Sequence, residues 1–276
     1  NDTPKPNIDY VLSATKSIAP FIKSGDLIIL ESTSPVGTTE KMQQTLINCG
    51  KNLEGVHLAY CPERVLPGKI MVELVENDRI VGGLTSISTK KVVDFYRLFV
   101  NGNILETDAK TAEMCKLAEN SFRDINIAYA NELSMICTKQ DINVWNLIKL
   151  ANKHPRVNIL QPGTGVGGHC IAVDPWFIVS QDTENSKLIR TAREVNDYKT
   201  TWVIDKIKSN IDKCIPKKGI KPKIACLGLA FKPNIDDLRE SKALEVVETL
   251  LAEGYEICVV EPNIQSHKNL LILNLL

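Results

Sequence analysis

Several features that define other protein classes are missing from this sequence of 276 residues. Its longest apolar runs, such as those at residues 27–30 and 270–273, are far shorter than the roughly 20 residues that a membrane-spanning helix needs. The 33 basic and 33 acidic residues cancel, so no field of one sign directs the protein to nucleic acid or to an anionic membrane. Residues 1–7 are polar and contain proline, unlike a signal peptide.

The cysteines also lack the spacing of familiar structural sites. Eight cysteines are scattered along the chain, and none forms a Cys-x-x-Cys pair. A chain of this size can build an apolar core without disulfides, so we expect reduced thiols in a cytoplasmic protein. His169 and Cys170 are the only adjacent His and Cys, and two neighbours do not make a metal site. We therefore expect no bound metal.

The first part of the chain has the alternating pattern of an α/β layer. Apolar residues recur at helical spacing over residues 8–22, and further helices are predicted at residues 38–49 and 90–100. Short apolar runs predict buried strands, at residues 27–30, 56–60, 79–81 and 103–106.

The second part begins with a long helical pattern. Residues 111–152 contain neither Pro nor Gly, which predicts one helix long enough to serve as a spine between domains or as a dimer interface. Residues 158–176 are irregular and rich in Gly and Pro, and residues 186–214 are helical again. A basic linker at residues 216–223 then precedes a βαβ pattern, with which a second Rossmann-like domain begins.

A glycine-rich segment carries the first candidate for chemistry. Residues 163–168 satisfy Gly-x-Gly-x-x-Gly, but they lack the preceding strand and following helix of a dinucleotide fingerprint, which we therefore reject. Glycines here favour a backbone that approaches a ligand closely. Cys170 follows directly, and its thiol could be a stabilised thiolate nucleophile or an ordinary buried apolar group.

Other candidates lie on the long helix and at strand ends. Lys116 and Asn120 are four residues apart and share a helix face, which Asp124 and Asn131 extend; the alternative is a solvated surface. Residues 32–37 and 60–64 each follow a predicted strand, at the sheet edge where ligands bind in open α/β folds. The hydroxyl groups of the first segment could contact a ligand or cap the next helix.

Taken together, five segments are more specific than any one of them. The chain contains, in this order, STSPVGTT, YCPERVLPG, TAEMCKLAENSFRDINIAYANE, NILQPGTGVGGHCIAVDP and GLAFKPNIDDLRES. This order resembles the nucleotide-sugar dehydrogenases, the UDP-glucose and GDP-mannose dehydrogenase family. YCPERVLPG and HPRVNILQPGTGVGGHCIAVDPWF favour the subgroup that oxidises UDP-N-acetyl-D-mannosamine. We expect the resemblance to end after Asn263.

The resemblance implies an α/β fold in three parts. These are a partial Rossmann-like NAD domain at residues 1–108, a long central helical dimerisation domain with the cysteine loop at residues 109–214, and a partial Rossmann-like UDP-sugar-binding domain at residues 215–276. Family members open with a Gly-x-Gly-Tyr-x-Gly loop that holds the NAD pyrophosphate. No such loop occurs here, so a truncated chain that binds NAD poorly is expected. A homodimer through the central helix is also implied.

The resemblance further implies a four-electron oxidation with NAD as cofactor. The substrate would be UDP-N-acetyl-D-mannosamine, oxidised at C6 to the uronate for surface polysaccharide synthesis, by way of a thiohemiacetal and a thioester on Cys170. The alternatives are another nucleotide-sugar 6-dehydrogenase, acting on UDP-N-acetylglucosamine or UDP-glucose, and a non-catalytic remnant that dimerises or binds UDP-sugar weakly.

Residue roles follow from the same resemblance. Asp174 would lie near the attacking water, Lys116 and Asn120 would stabilise and position the C6 oxygen, Thr33 would hold a water, and Glu63 would act as a base in thioester hydrolysis. The family's second glutamate is Pro67 here. The substrate would also meet Lys232, Arg156, Gly167 and Gly168, and NAD would meet Thr33, Pro35, Val36 and Arg239. We expect Lys116 and Asn120 to face the same cleft as Cys170.

Overall fold

The computed structural model describes residues 6–65, 68–168, 170–214, 222–232, 234–264, 266–268, 270 and 272–273. The chain divides into two compact units, the first made of Asn1–Glu119 and Trp176–Asn185 and the second of Asn120–Pro175 and Ser186–Leu276. Each unit combines helices with a sheet, which confirms the predicted α/β class. Within the described ranges, no helix is both long and apolar enough to cross a membrane.

The first unit is built from alternating helices and strands. In chain order these are α1 (Asp9–Ile18), a 3₁₀ turn (Ala19–Phe21), β1 (Leu27–Leu30), α2 (Thr38–Asn48), β2 (His57–Tyr60), α3 (Ile70–Glu76), β3 (Arg79–Gly83), α4 (Ser86–Tyr96) and β4 (Ile104–Asp108). The predicted strands and the helices at residues 8–22, 38–49 and 90–100 are thus confirmed, apart from shifts of a few residues at their ends. Helix α3 was not predicted.

The sheet of the first unit is mixed, in the order β1-β2-β3-β4. Strand β1 is parallel to β2 and β3 is parallel to β4, whereas β2 and β3 are antiparallel. The carboxyl ends of β1 and β2 therefore share an edge with the amino end of β3. The segments that follow β1 and β2 are joined there, because the Glu63 N–H donates to the Glu31 carbonyl over 3.3 Å.

Alternating side chains of β2 build one apolar layer on each face of this sheet. Leu58 and Tyr60 pack into a cluster with Leu46 of α2. Ala59, on the opposite face, packs into a second cluster with Val92 of α4. The edge that carries the candidate residues is therefore held between two fully buried layers.

The second unit contains long helices and a smaller sheet. Its elements are most of α5 (Ala109–Lys139), then α6 (Val144–Ala151), the start of α7 (Asp174–Gln181), α8 (Lys187–Cys214), β5 (Ile224–Leu227), α9 (Lys242–Ala252), β6 (Ile257–Val260) and β7 (Ile272–Leu273). The three strands are parallel, in the order β5-β6-β7. The predicted βαβ pattern is confirmed, while the predicted linker lies mostly outside the described residues.

The prediction of one helix over residues 111–152 is wrong. Helix α5 ends at Lys139, and Asp141 takes up a left-handed conformation with φ of 55°. The Ile142 N–H then donates to the Cys137 carbonyl over 2.8 Å, which closes the helix end. Asn143 starts α6 by accepting a hydrogen bond from the Asn146 N–H over 3.0 Å. An Asp and an Asn thus break the helix without Pro or Gly.

Candidate functional site

In the first unit, the loop after β1 holds Thr33, Pro35 and Val36. Pro35 is buried and its carbonyl accepts a hydrogen bond from the Thr38 hydroxyl over 2.6 Å, while Thr33 and Val36 are half-buried. Val36 also lines a cavity of about 340 Å³ together with Met114. The loop is therefore rigidly attached to the start of α2 and presents one apolar side chain to an open cavity.

A buried carboxylate already occupies the amino end of α2. Glu113 accepts hydrogen bonds from the Gly37 N–H, from the Thr39 N–H over 2.8 Å and from the Thr39 hydroxyl over 2.7 Å. Burial raises the pKa of Glu113, and these hydrogen bonds oppose the shift. This helix end is therefore satisfied internally and is not a free phosphate site. Glu113 and Lys116 are three residues apart on α5, but the buried Glu113 contacts α2 and is not a surface partner of Lys116.

Glu63 and Lys116 lie together in the first unit. Lys116 Nζ donates to the main-chain carbonyl of Glu63 over 2.8 Å. The Glu63 carboxylate accepts from the N–H groups of Arg64 and Val65, over 2.6 and 2.8 Å. Its other oxygen lies 3.6 Å from Nη1 of Arg79, and the side chain is 40% exposed. A half-exposed, ionisable oxygen is what a base at a solvent-filled cleft requires.

Sequence reasoning missed the buried guanidinium of Arg79. It is 1% exposed, lies 5.3 Å from the ring centre of Tyr96 and donates to the Leu74 carbonyl over 3.2 Å. The Tyr96 hydroxyl donates to Glu31. Burial raises the pKa of the neighbouring Cys61 thiol, so Cys61 is a poor second nucleophile. No motif distinguishes Arg79 from an ordinary exposed residue at the start of a strand.

The second unit brings Cys170, Asp174 and Asn120 together. Cys170 is exposed, and its carbonyl accepts from the N–H groups of Val173 and Asp174, over 3.1 and 2.9 Å. The Asp174 carboxylate is buried and accepts a hydrogen bond from the Asn120 amide. Lys116 belongs to the first unit, so its convergence with Cys170 stays a prediction.

Close packing within the chain explains the glycines before Cys170. A Cβ on Gly167 would lie 2.7 Å from the Glu240 carbonyl oxygen and 2.8 Å from Cβ of Phe231. Gly168 has φ of +78°, and a Cβ there would lie 3.0 Å from the Phe231 ring. The backbone at Gly167 and Gly168 thus packs directly against other residues of the chain, at a distance that only glycine permits. A role of Gly167 and Gly168 in substrate binding stays a prediction.

The remaining candidate cations of the second unit are exposed. The Lys232 ammonium lies 5.5 Å from the ring centre of Phe231. Arg239 donates two hydrogen bonds from Nε and one from Nη2 to the Asp237 carboxylate. These hydrogen bonds are the main cause of the raised pKa of Arg239, and the nearby Cys170 raises it further. Arg156 lies on an exposed turn after α6. Pro67 and His169 lie outside the described residues.

The helix stripe that continues beyond Asn120 is not a solvated surface. Asp124 and Asn131 are both fully buried, and Asp124 pairs with Arg193 over 2.7 Å. Burial raises the pKa of Asp124, while the Arg193 charge opposes the shift. The stripe therefore joins α5 to α8 inside the second unit.

Three domains of one family match this chain. Residues 1–100 match the NAD binding domain of the UDP-glucose/GDP-mannose dehydrogenase family, residues 110–198 match its central domain, and residues 225–273 match its UDP binding domain. The expectation that the resemblance ends after Asn263 is wrong, because the last match continues through β7. Pairing of β7 with β6 explains why this apolar segment belongs to the domain.

Individual relatives agree with this match. The UDP-N-acetyl-D-mannosamine dehydrogenase of Escherichia coli (strain K12) is 58% identical over 274 residues, covering 94% of this chain and 65% of the relative. The NDP-N-acetyl-D-galactosaminuronic acid dehydrogenase of Ralstonia nicotianae is 54% identical, covering 96% and 64%. The solved structure of UDP-D-ManNAc dehydrogenase from Pyrococcus horikoshii has a TM-score of 0.87 at 41% identity, covering 95% and 63%. The chain thus spans slightly less than two thirds of these proteins.

Proposed function

Because the chain belongs to the UDP-glucose/GDP-mannose dehydrogenase family, we propose that it carries the catalytic residues for NAD-dependent oxidation of UDP-N-acetyl-D-mannosamine to the uronate. The observation that carries this proposal is the joint placement of exposed Cys170, buried Asp174 and the Asn120 amide. The name of the 58% identical relative supports this substrate. The reaction would supply surface polysaccharide synthesis in the cytoplasm.

Cys170 forms and releases the covalent intermediates. Loss of a hydride and a proton converts the C6 alcohol to an aldehyde, and the Cys170 sulfur bonds to the aldehyde carbon to give a thiohemiacetal. Loss of a second hydride and proton gives a thioester. Water then adds to the thioester carbon, the C–S bond breaks, and the carboxylate leaves with the thiol restored.

The surrounding side chains have separate roles in stabilising the C6 oxygen and in positioning water. Asn120 and Lys116 donate hydrogen bonds to the C6 oxygen as it gains negative charge. Asp174, already fixed by Asn120, orients the water that attacks the thioester. Glu63 accepts a proton from that water, and Thr33 holds a second water near the sugar.

The loop after β1 fits the apolar part of NAD. Thr33, Pro35 and Val36 lie at the carboxyl end of a strand, and Val36 faces a cavity with Met114. When bound, NAD would supply the hydride acceptor, one molecule for each of the two oxidations. Arg239 is the further proposed cofactor contact, and Lys232, Arg156 and the backbone at Gly167 and Gly168 are the proposed contacts of the UDP-sugar.

A homodimer through the central helix is part of this proposal. Phe122, Tyr129 and Ile136 follow one another at seven-residue spacing on α5, and they are 72%, 57% and 45% exposed. Such a stripe of apolar side chains on one helix is the pattern of a helix pair. A second copy of the same helix is the partner that fits this self-complementary stripe.

The proposal is tested by assaying reduction of NAD with UDP-N-acetyl-D-mannosamine, using the protein as its gene encodes it. We expect Cys170→Ser to lower uronate formation by several orders of magnitude, because an alkoxide forms far less readily than a thiolate. Cys49→Ser, at another exposed thiol, is the control and should be fully active. Near-normal uronate formation by Cys170→Ser would refute the assignment.

Substrate choice needs a second arm of this assay. The galactosaminuronate dehydrogenase at 54% identity makes an N-acetylgalactosamine nucleotide the strongest competing substrate. We expect kcat/KM to be highest for UDP-N-acetyl-D-mannosamine among the N-acetylated UDP-sugars and UDP-glucose. A higher value for any other sugar would replace the proposed substrate, and no turnover with any of them would favour a non-catalytic protein.

A further inference from the structure

Four side chains that are almost completely buried in the second unit form one hydrogen-bonded chain, the amide clamp, made of Asp124, Asn131, Arg193 and Asn196. Arg193 donates to Asp124 Oδ1 over 2.7 Å, and Asn196 Nδ2 donates to the same oxygen over 2.8 Å. Asn131 Nδ2 donates to Asn196 Oδ1 over 2.9 Å. Asn131 Oδ1 in turn accepts the Gly163 N–H over 2.8 Å. The clamp therefore ends on the loop that leads to Cys170.

The charged end of the clamp fixes the orientation of every amide in it. An ionised carboxylate only accepts hydrogen bonds, so Asn196 turns its NH₂ group to Asp124 and its oxygen to Asn131. Asn131 must then turn its NH₂ group to Asn196, which leaves its oxygen for Gly163. A reversed amide would bury two unpaired groups, so the chain holds one arrangement.

The next residues of the loop are held as closely. The Thr164 carbonyl accepts a hydrogen bond from the Thr200 hydroxyl over 2.8 Å. Gly165 has φ of +131°, and a Cβ on it would lie 2.6 Å from Thr200 Oγ1 and 3.2 Å from the Asn196 carbonyl oxygen. Three successive residues, from Gly163 to Gly165, are thus fixed to α5 and α8.

We propose that Asn131 is a positioning residue for the nucleophile, acting through the Gly163 N–H to hold the loop that presents Cys170. It does not touch substrate in this role. The proposal deepens the proposed function and rests on it for the meaning of the nucleophile. The geometry of the clamp is independent of the reaction, and this allows the two to fail separately.

The experiment compares Asn131→Ala, which removes both hydrogen bonds, with Asn131→Asp, which keeps an acceptor for Gly163 but loses the donor to Asn196. The rate at which iodoacetamide modifies Cys170 is followed by peptide mass spectrometry, and kcat and KM are measured with UDP-N-acetyl-D-mannosamine. Val247→Ala, in the core beside β6, is the control for loss of stability without loss of the clamp. Thr200→Val tests the neighbouring tie if Asn131→Ala does not fold.

We expect Asn131→Ala to lower kcat roughly 10- to 100-fold with a small change in KM, because a displacement of about 1 Å has effects of that size. The Cys170 modification rate should change by about threefold or more in Asn131→Ala, and at least as much in Asn131→Asp, because an Asp oxygen would face the Asn196 oxygen with no hydrogen between them. Thr200→Val should shift both readouts in the same direction. Values equal to those of Val247→Ala would overturn the proposal. If the wild type oxidises no nucleotide sugar, the proposed function fails, while the modification rate still decides the role of Asn131.

Discussion

There is no room for a side chain at the α-carbon of Gly167. We predict that Gly167→Ala lowers the free energy of unfolding by about 1–3 kcal/mol, because its Cβ would overlap backbone of Glu240. Gly163→Ala is the matched control, since the nearest atom to its Cβ lies 3.8 Å away. Urea unfolding of both variants measures the difference. Equal losses of stability would contradict this explanation.

Arg193 has two carboxylate partners that should contribute very differently to the free energy of unfolding. Asp124 is fully buried, whereas the Asp197 side chain is 49% exposed. Asp124→Ala should lower the free energy of unfolding by about 3–5 kcal/mol, because it leaves a buried guanidinium with too little compensation. Asp197→Ala should cost at most about 1 kcal/mol. Thermal and urea unfolding of the two variants test this order, which a larger loss in Asp197→Ala would reverse.

Single residues of the candidate site differ in how far the sequence reveals them. Helical spacing relates Asn120 to Asp124 and Asn131, and the glycine-rich context points to Cys170. The same spacing cannot tell a solvated face from a buried one, because Asp and Asn are usually exposed. Arg79 is invisible in the sequence, since its burial depends on contacts from Tyr96 and Glu63, which are distant along the chain.

At the scale of helices and strands, periodicity predicted the larger elements and missed those that long-range contacts decide. Helix α3 has seven residues, which is too few for a helical period to be recognised, and none of them is buried. Helix α7 begins at Asp174 with Pro175 in its first turn, where proline is tolerated, whereas the Gly- and Pro-rich composition of residues 158–176 predicts irregular structure. The reversed direction of β3 is set by pairing, which no local pattern records.

The contact between α5 and α8 should depend on pH through Lys199. Its ammonium is buried, donates to Ser134 over 2.6 Å and lies 4.1 Å from the ring centre of Trp202; burial lowers its pKa to about 8. The unfolded state keeps a higher pKa and binds more protons between about pH 8 and 10.5, so stability rises with pH in this window. The penalty is fully present below pH 8 and amounts to roughly 3 kcal/mol at most.

We therefore predict that Lys199→Met removes this rise. The difference in unfolding free energy between Lys199→Met and wild type should favour the variant at pH 7 and shrink towards pH 10. Urea unfolding at several pH values measures it, and taking the difference cancels the titration of all other groups. A difference that is constant with pH, or that grows, would show that the buried ammonium carries no penalty.

At the scale of the whole molecule, a single substitution can test whether the exposed stripe on α5 is the interface of the proposed dimer. Tyr129→Glu places a charge at the centre of the stripe and should convert the proposed dimer to monomers. Light scattering at micromolar concentration measures this change. Leu98→Glu introduces the same charge at an 80% exposed apolar residue of the first unit and should leave the dimer intact. A dimer that survives Tyr129→Glu unchanged would place the interface elsewhere.

Each compact unit also contains a fully buried thiol among its described residues. Cys61 is buried in the first unit and Cys137 in the second. A shielded thiol becomes accessible only when the structure around it opens, so its exchange with a small disulfide reports local unfolding. The two rates, followed as denaturant increases, therefore give the order in which the two halves of the molecule lose their structure, without any introduced probe.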